Sequence, residues 1–394
     1  MQHIYVALLP LTYPLAIAEF HVSYTSLGIV LGIVGATGGL LQGAAIFYQR
    51  VSARLVLALQ NLLLAANSVL LAVAPTYGVF GAGQFLGGVI SSPQHPVGNA
   101  VLTRRFPERG GTVLGWHTTG GNVGTLVVPL IASLVIARWG WRAALVAGAV
   151  PLAMGGVLVA LRLREGRSDP SGASGGGAGT SLRAAVLRRG TLIVIAAGTI
   201  AAGGRGLGAV NAFVPSYLRG GLGLPQVTVG LVFTVVLASS VAGPILAGRL
   251  ADRYGRRQVA VAAYVVGGVG LGLFGMAGAS IPALLALGVL VGAFAYAESP
   301  LLQALYADAV PDAPRQAAFG VYFAIAYGAG SIWVTILGWT IDRAGFSAAF
   351  WVMGASFLAA AAVLLLPGGA AGVSPAPPRT PPRPAPRPPP GPAP

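Results

Sequence analysis

The sequence predicts an all-α polytopic membrane protein, with twelve transmembrane helices in two pseudo-symmetric six-helix bundles. Three observations carry that reading. The 394 residues are 55% hydrophobic and only 8% charged, with a mean hydropathy of +0.77, whereas soluble domains carry about 25% charged residues. The apolar runs are about 20 residues long or longer, the length a helix needs to cross ~30 Å of hydrocarbon. And the chain repeats itself at an offset that drifts smoothly from 201 to 205 residues, pairing Pro14 with Pro215, Gly28 with Gly230, Arg54 with Arg257, Pro96 with Pro300 and Gly140 with Gly345.

The apolar runs place helices at 1–18, 24–47, 55–74, 76–103, 112–137, 143–161, 191–218, 227–250, 258–278, 281–307, 316–341 and 347–366. They are too long and uniform for barrel strands, and in lipid only helices or closed barrels satisfy the backbone. The first bundle is 1–161. A linker at 162–190, containing Asp169-Pro170-Ser171-Gly172 and a Gly/Ala/Ser run, reads as flexible and cytoplasmic. The second bundle is 191–366. The tail 367–394, Pro-rich with Arg379, Arg383 and Arg387, reads as extended and disordered. The repeat puts the partner of Thr191 about ten residues before Met1. Either the true start lies upstream, or the first helix is marginally short at ~1.5 Å per residue.

All 24 basic residues are arginine, and they give a net charge of +15. Their distribution orients the chain rather than recruiting nucleic acid. Arg50, Arg54, Arg104, Arg105, Arg109, the linker, Arg253, Arg256, Arg257, Arg315 and the tail fall on one side, against Arg138, Arg142, Arg219 and Arg343 on the other. By the positive-inside rule the first side is cytoplasmic, both termini included, in a cell inner (plasma) membrane. The chain has no cysteine, and its four histidines have no ligand-like spacing. Disulfides and thiol chemistry are thereby excluded, and no metal site is expected. No phosphate loop and no nucleophile–base constellation stand out, so neither an enzyme nor a cofactor is expected.

One charged segment interrupts the apolar text. Gly248-Arg249-Leu250-Ala251-Asp252-Arg253-Tyr254-Gly255-Arg256-Arg257 lies between two apolar helices and must be a water-exposed loop. Its pattern resembles the loop signature of the major facilitator superfamily at Gly248, Asp252, Arg253, Gly255, Arg256 and Arg257, and the resemblance with its two-fold repeat extends to about Pro367. It implies a secondary transporter working by alternating access. It also implies a gating role for Asp252, whose carboxylate would engage a helix N-terminus and nearby Arg in the outward-open state; a carboxylate is favourable there. In the first half Tyr48-Gln49-Arg50-Val51-Ser52-Ala53-Arg54 occupies the equivalent place, with Gln49 for the Asp and Ser52 for the Gly, so one latch is degraded. The other reading of these charges is that they keep the helices from sliding into the bilayer.

Charges inside the hydrocarbon cost at least ~2.5–3.5 kcal/mol on insertion scales. Arg205, in Gly203-Gly204-Arg205-Gly206, and Glu298 fall near mid-membrane depth, on the seventh and tenth helices. In the family that this chain resembles, helices one, four, seven and ten line the central cavity. Glu298 is a candidate proton carrier. Arg205, which does not usefully deprotonate, either binds an anionic substrate or pairs with Glu298; a static fold-stabilising pair is the alternative. In the fourth helix Gln94 stands opposite Glu298 in the repeat and His95 opposite Ser299, within Ser91-Ser92-Pro93-Gln94-His95-Pro96-Val97-Gly98-Asn99. A polar, Pro-kinked segment at that depth suits a substrate site, with His95 able to titrate near neutral pH, so Gln94, His95 and Asn99 are cavity candidates. Tyr13 before Pro14 and Asn211 before Pro215 are weaker ones.

The fifth helix, Gly115-Trp116-His117-Thr118-Thr119-Gly120-Gly121-Asn122-Val123-Gly124, has the small residues of a packing face. It loosely resembles the superfamily's antiporter motif, but Val128 replaces the Gly before Pro129, and His117 reads as structural. The text of helices four and five also resembles the fosmidomycin-resistance-like efflux branch. The function expected is proton-coupled export of small organic compounds by a monomer, with uptake of an organic anion as the alternative and a non-transporting sensor as the alternative of another class.

Overall fold

The computed structural model describes residues 2–43, 51–106, 109–163, 182–311 and 315–367. The Gln49–Arg50 part of the first charged loop, most of the 162–190 linker and the tail from 368 lie outside the described residues. Among the described residues the structure is helical throughout, without a strand. The first half holds α1 (Gln2–Phe20), α2 (Tyr24–Gly43), α3 (Ala53–Ala72), α4 (Tyr77–Ser91), α5 (Gln94–Arg105) and α6 (Gly110–Arg162). The second holds α7 (Leu182–Val186), α8 (Arg189–Ala201), α9 (Asn211–Ser216), α10 (Gln226–Tyr254), α11 (Arg256–Phe274), α12 (Ile281–Ala309), α13 (Arg315–Tyr322) and α14 (Ile332–Leu365). Residues 182–190, read above as linker, carry α7 and the start of α8; Ala185 is buried there and its carbonyl accepts from Thr191 Oγ1 at 2.9 Å.

Among the described residues, eight stretches are long and apolar enough to cross a membrane. Two of them, of 44 and 48 residues, each contain two crossings. Both double stretches turn at a glycine with left-handed backbone, Gly140 (φ 84°, ψ 168°) and Gly345 (φ 81°, ψ 175°). Only glycine adopts that conformation without a Cβ penalty, and the two positions are repeat partners. The shorter α2 and the α4–α5 pair complete the set of twelve. The expected helix 76–103 is broken, because Pro93 has no N–H to donate to the ladder. Ser52 and Thr76 cap α3 and α4 by accepting from Leu55 N and Val79 N at 3.2 and 3.4 Å.

Each half packs on itself, α3 and α1 against α6, α10 against α12, and α11 against α12 and α14. The halves meet along α2 with α14, α6 with α10 and α1 with α9. The α2 seam needs glycine: a Cβ on Gly28 would lie 2.4 Å from the Val334 carbonyl oxygen. Large apolar side chains such as Leu40, Trp116, Met154 and Ile332 stand exposed. Such a surface is excluded from water and matched to lipid.

Candidate functional site

The site begins with a broken helix. Beyond Ala201 the α8 ladder fails, and Arg205 adopts extended backbone (φ −61°, ψ 133°) before a π-helical turn at Gly206–Val210. Glycines permit the break and the close packing around it. A Cβ on Gly204 would meet the Phe357 ring at 2.7 Å, and one on Gly206 the Tyr296 ring at 2.4 Å. The break also frees a carbonyl. The Ala202 N–H turns to the Ile200 oxygen, so the Gly198 oxygen is left for a side chain, and Arg205 Nη2 donates to it at 2.7 Å.

The same guanidinium grips Glu298 two-pronged, Nε to Oε2 at 3.0 Å and Nη2 to Oε1 at 3.0 Å. Nη1 donates to the Ala326 carbonyl at 3.2 Å, inside a second π-helical turn at Phe323–Gly328. The Tyr327 ring lies 4.0 Å from the guanidinium carbon, a cation–π distance. Side-chain exposure is 7% for Arg205 and 1% for Glu298. Burial of this depth strips both ions of water, and the bidentate geometry with two carbonyl acceptors is what offsets the desolvation. The hydroxyls of Tyr264 and Tyr322 are buried without a hydrogen-bond partner among the described residues, within electrostatic reach of Glu298. Thus α8, α12 and the Phe323–Gly328 turn converge on one neutral ion pair, with spare polar groups beside it.

Two further polar contacts extend from the pair. Asn211 accepts from the Tyr296 hydroxyl. On the adjacent turn of α12, Ser299 bonds the Tyr327 hydroxyl, and Gln303 Nε2 donates to Ser299 Oγ at 2.8 Å. Tyr327, Ser299 and Gln303 were missed as site residues. The repeat held the signal for two of them, since an offset of 204 maps His95 onto Ser299 and Asn99 onto Gln303.

In the first half the candidates separate. Tyr13 is buried in the core near Tyr5, Tyr77 and Gln84. Gln94 is half-buried, with an unpartnered Oε1, while His95 and Asn99 share an exposed face of α5. Sequence spacing missed what stands beside them. His3 of α1 lies with its ring centroid 6.1 Å from that of His95, edge to face, and its Nδ1 bonds Thr125 Oγ1 at 3.1 Å. His117 of α6 is within electrostatic reach of both. Among the described residues, no group of His and acidic residues has metal-holding geometry.

The charged segment is not the loop expected: residues 248–254 continue α10, Arg256 and Arg257 open α11, and the chain turns between them at Gly255 (φ 95°). Arg256 pairs with Asp308 of α12. Arg257 caps the end of α14, Nε donating to the Leu364 oxygen at 2.7 Å and Nη2 to the Leu366 oxygen at 3.0 Å; cations are favourable at helix C-termini. Arg253 lies over Tyr254, Gly248 is half-buried, and Asp252 is exposed without a partner among the described residues. At the opposite end Asp342 accepts from the backbone N–H groups of Tyr24 and Thr25, at 3.0 and 2.8 Å, and from the Thr25 hydroxyl. This latch between the halves was not foreseen.

The family model described as Major Facilitator Superfamily matches residues 2–225 and 197–394. The chain belongs to the major facilitator superfamily. Crystal structures of the nucleoside transporter NupG superpose with TM-scores of 0.78 and 0.74, each at 15% identity, covering 92% of this chain and 95% and 97% of those chains. A bacterial homolog of the human lysosomal transporter Spinster, inward-facing and unoccupied, gives 0.66 at 16% identity, over 92% of this chain and 91% of that one. A gentisate transporter of Corynebacterium glutamicum is 28% identical over 167 residues, 36% of this chain and 37% of the relative. The match therefore spans little more than a third of that relative's length. The family supports multi-pass membrane topology and secondary transport of a small-molecule substrate; it does not extend to the fosmidomycin-resistance-like branch.

Proposed function

We propose that the chain is a proton-coupled secondary transporter of small organic compounds, working by alternating access, in which Glu298 carries the proton. The observation that carries the proposal is the buried, two-pronged Arg205–Glu298 pair. A proton on Glu298 removes the counter-charge of a guanidinium that stays cationic. An unpaired buried charge costs several kcal/mol, so the protonated site calls for an anion at Arg205. Proton and anion thereby load together, and re-forming the pair expels both. This coupling favours uptake of an organic anion over the expected export, and the carboxylate substrate named for the gentisate transporter relative points the same way. We assign the arginine-rich end, with both termini, to the cytoplasm of an inner membrane, the working unit to a monomer, and Asp252 to the gate that closes that end.

The test is flux into proteoliposomes, with labelled gentisate as the probe and an imposed pH gradient, interior alkaline. Wild type should accumulate the probe, one proton per anion and without response to membrane potential. Glu298→Gln should lose gradient-driven accumulation. Full retention by that variant sinks the proton role. Flux blind to pH removes proton coupling, accumulation driven by the opposite gradient restores export, and no flux across a panel of organic solutes favours the sensor.

A further inference from the structure

Beside the charged segment lies a groove that the transport scheme does not use. Helices α10 and α11 leave the Gly255 turn and pack chiefly on α12 rather than on each other. The space left between them has a volume of 430 Å³, within the roughly 300–1,000 Å³ of small-ligand sites. Leu246, Leu250 and Tyr254 of α10 and Ala262 of α11 form its walls, and Phe294 and Ala297 of α12 its floor. Gln258, near the turn, adds an amide, and no carboxylate lines it. Its inner limit is a close crossing of backbones, where a Cβ on Gly243 would lie 2.2 Å from the Ala293 carbonyl oxygen.

We propose that this groove binds one anionic phospholipid, with an acyl chain between α10 and α11 and the headgroup at Arg249 and Arg253. The length fits a single leaflet. From Gly243 to Tyr254 the helix rises about 16 Å, half of the ~30 Å hydrocarbon core, and tyrosine is favoured at the membrane–water interface. The charge fits an anion. Arg249 and Arg253, one helical turn apart, are exposed and have no acidic partner among the described residues; Arg253 lies over the Tyr254 ring at 5.2 Å, at the groove's mouth. Arg256 and Arg257 beside them are already engaged, by Asp308 and by the end of α14. Asp252 lines a separate cavity, with Arg256 and Pro300. The apolar walls offer nothing to a small free anion, whereas a lipid supplies both the chain and the charge. The floor belongs to the helix that carries Glu298, and Ala297 immediately precedes that residue. An occupying chain therefore packs against the segment next to the ion pair.

The test is native mass spectrometry of the full-length protein in detergent, titrated with dioleoylphosphatidylglycerol or with dioleoylphosphatidylcholine. The first phosphatidylglycerol should bind about 25-fold more tightly than the first phosphatidylcholine, a factor of about five for each arginine. The double variant Arg249→Gln, Arg253→Gln should remove that preference and leave phosphatidylcholine binding unchanged. Arg104→Gln with Arg105→Gln, at exposed positions on the arginine-rich end of the first half, should retain the preference; an equal loss there means diffuse attraction and overturns the site. Ala262→Phe, which fills the groove from an exposed position, should weaken the first binding of both lipids by about tenfold. Binding unmoved by Ala262→Phe, or equal wild-type affinity for the two lipids, overturns the proposal as well. Excess glycerol phosphate, which has the charge without the chains, should not displace phosphatidylglycerol; displacement makes this a site for free anions and not for lipid.

Discussion

The two ends of the molecule are held in different ways. At the arginine-poor end hydrogen bonds join the halves: Asp342 accepts from the first two N–H groups of α2, Thr335 Oγ1 donates to the Gly28 carbonyl at 3.0 Å, and Gln226 Nε2 to Ser133 Oγ at 3.4 Å. At the arginine-rich end the ion pair of Arg256 with Asp308 and the cap that Arg257 places on α14 both stay within the second half. Contacts that fix one half internally survive any rocking of the halves. Contacts that need one relative position are given up whole when it changes. The arginine-poor end therefore carries the bonds that depend on the relative position of the halves, while Asp252 is exposed and without a partner among the described residues.

Five substitutions at four positions probe that difference, and the absence of native cysteine allows distances to be read between spin labels at exposed Val73 and Met276, one in each half. The largest effect is expected from Gly28→Val, whose side chain collides with the Val334 carbonyl. Overpacking costs about 1–3 kcal/mol, enough to open the arginine-poor end and lengthen the label distance, because the spacing of packed helices grows with the side chains at the contact. An unchanged distance distribution would mean the seam is not a gate. Asp342→Ala removes a carboxylate from a helix N-terminus and should cost the closed state about 1–2 kcal/mol, roughly a tenfold shift in the ratio of the two distance populations. Asp342→Asn, which keeps an acceptor, should shift it less.

Arg257→Gln acts within one half and should leave that ratio alone while lowering apparent thermal stability by about 1 kcal/mol. A changed distance ratio with unchanged stability would reverse the assignment of that end. The smallest effect in this conformation is expected from Asp252→Asn, within about 0.5 kcal/mol in stability. It should favour the state described here by weakening the alternative, and so slow turnover; unaltered turnover removes its gating role.

Much of the site's location was legible because hydrocarbon penalises each polar group separately. Arg205 and Glu298 stand out in apolar text wherever they point. Their surroundings were not legible. The Gly198 oxygen becomes an acceptor only because the ladder breaks after Ala201, and the Ala326 oxygen is reached from 121 residues away. Tyr327 carries no mark in the sequence as a partner of a guanidinium, and His3 reads there as a lone residue near the start of an apolar run. Within the charged segment, Arg257 belongs to the motif that the resemblance links to gating, and only the structure shows that it also caps a helix end contributed by the last crossing.

The sequence by itself determined the class of molecule, the number of crossings, the two-fold repeat with its matched glycine turns, and the two intramembrane charges. All are properties of local composition or of self-similarity along the chain, and the bilayer enforces them residue by residue. Only the tertiary structure decided which polar groups meet: Arg205 with Glu298 across 93 residues, Asp342 with the start of α2 across 318, and His3 of α1 with His95 of α5. Those meetings depend on how each helix is rotated, where its ladder breaks and how closely glycine lets its neighbour approach, and none of these is fixed within a single helix.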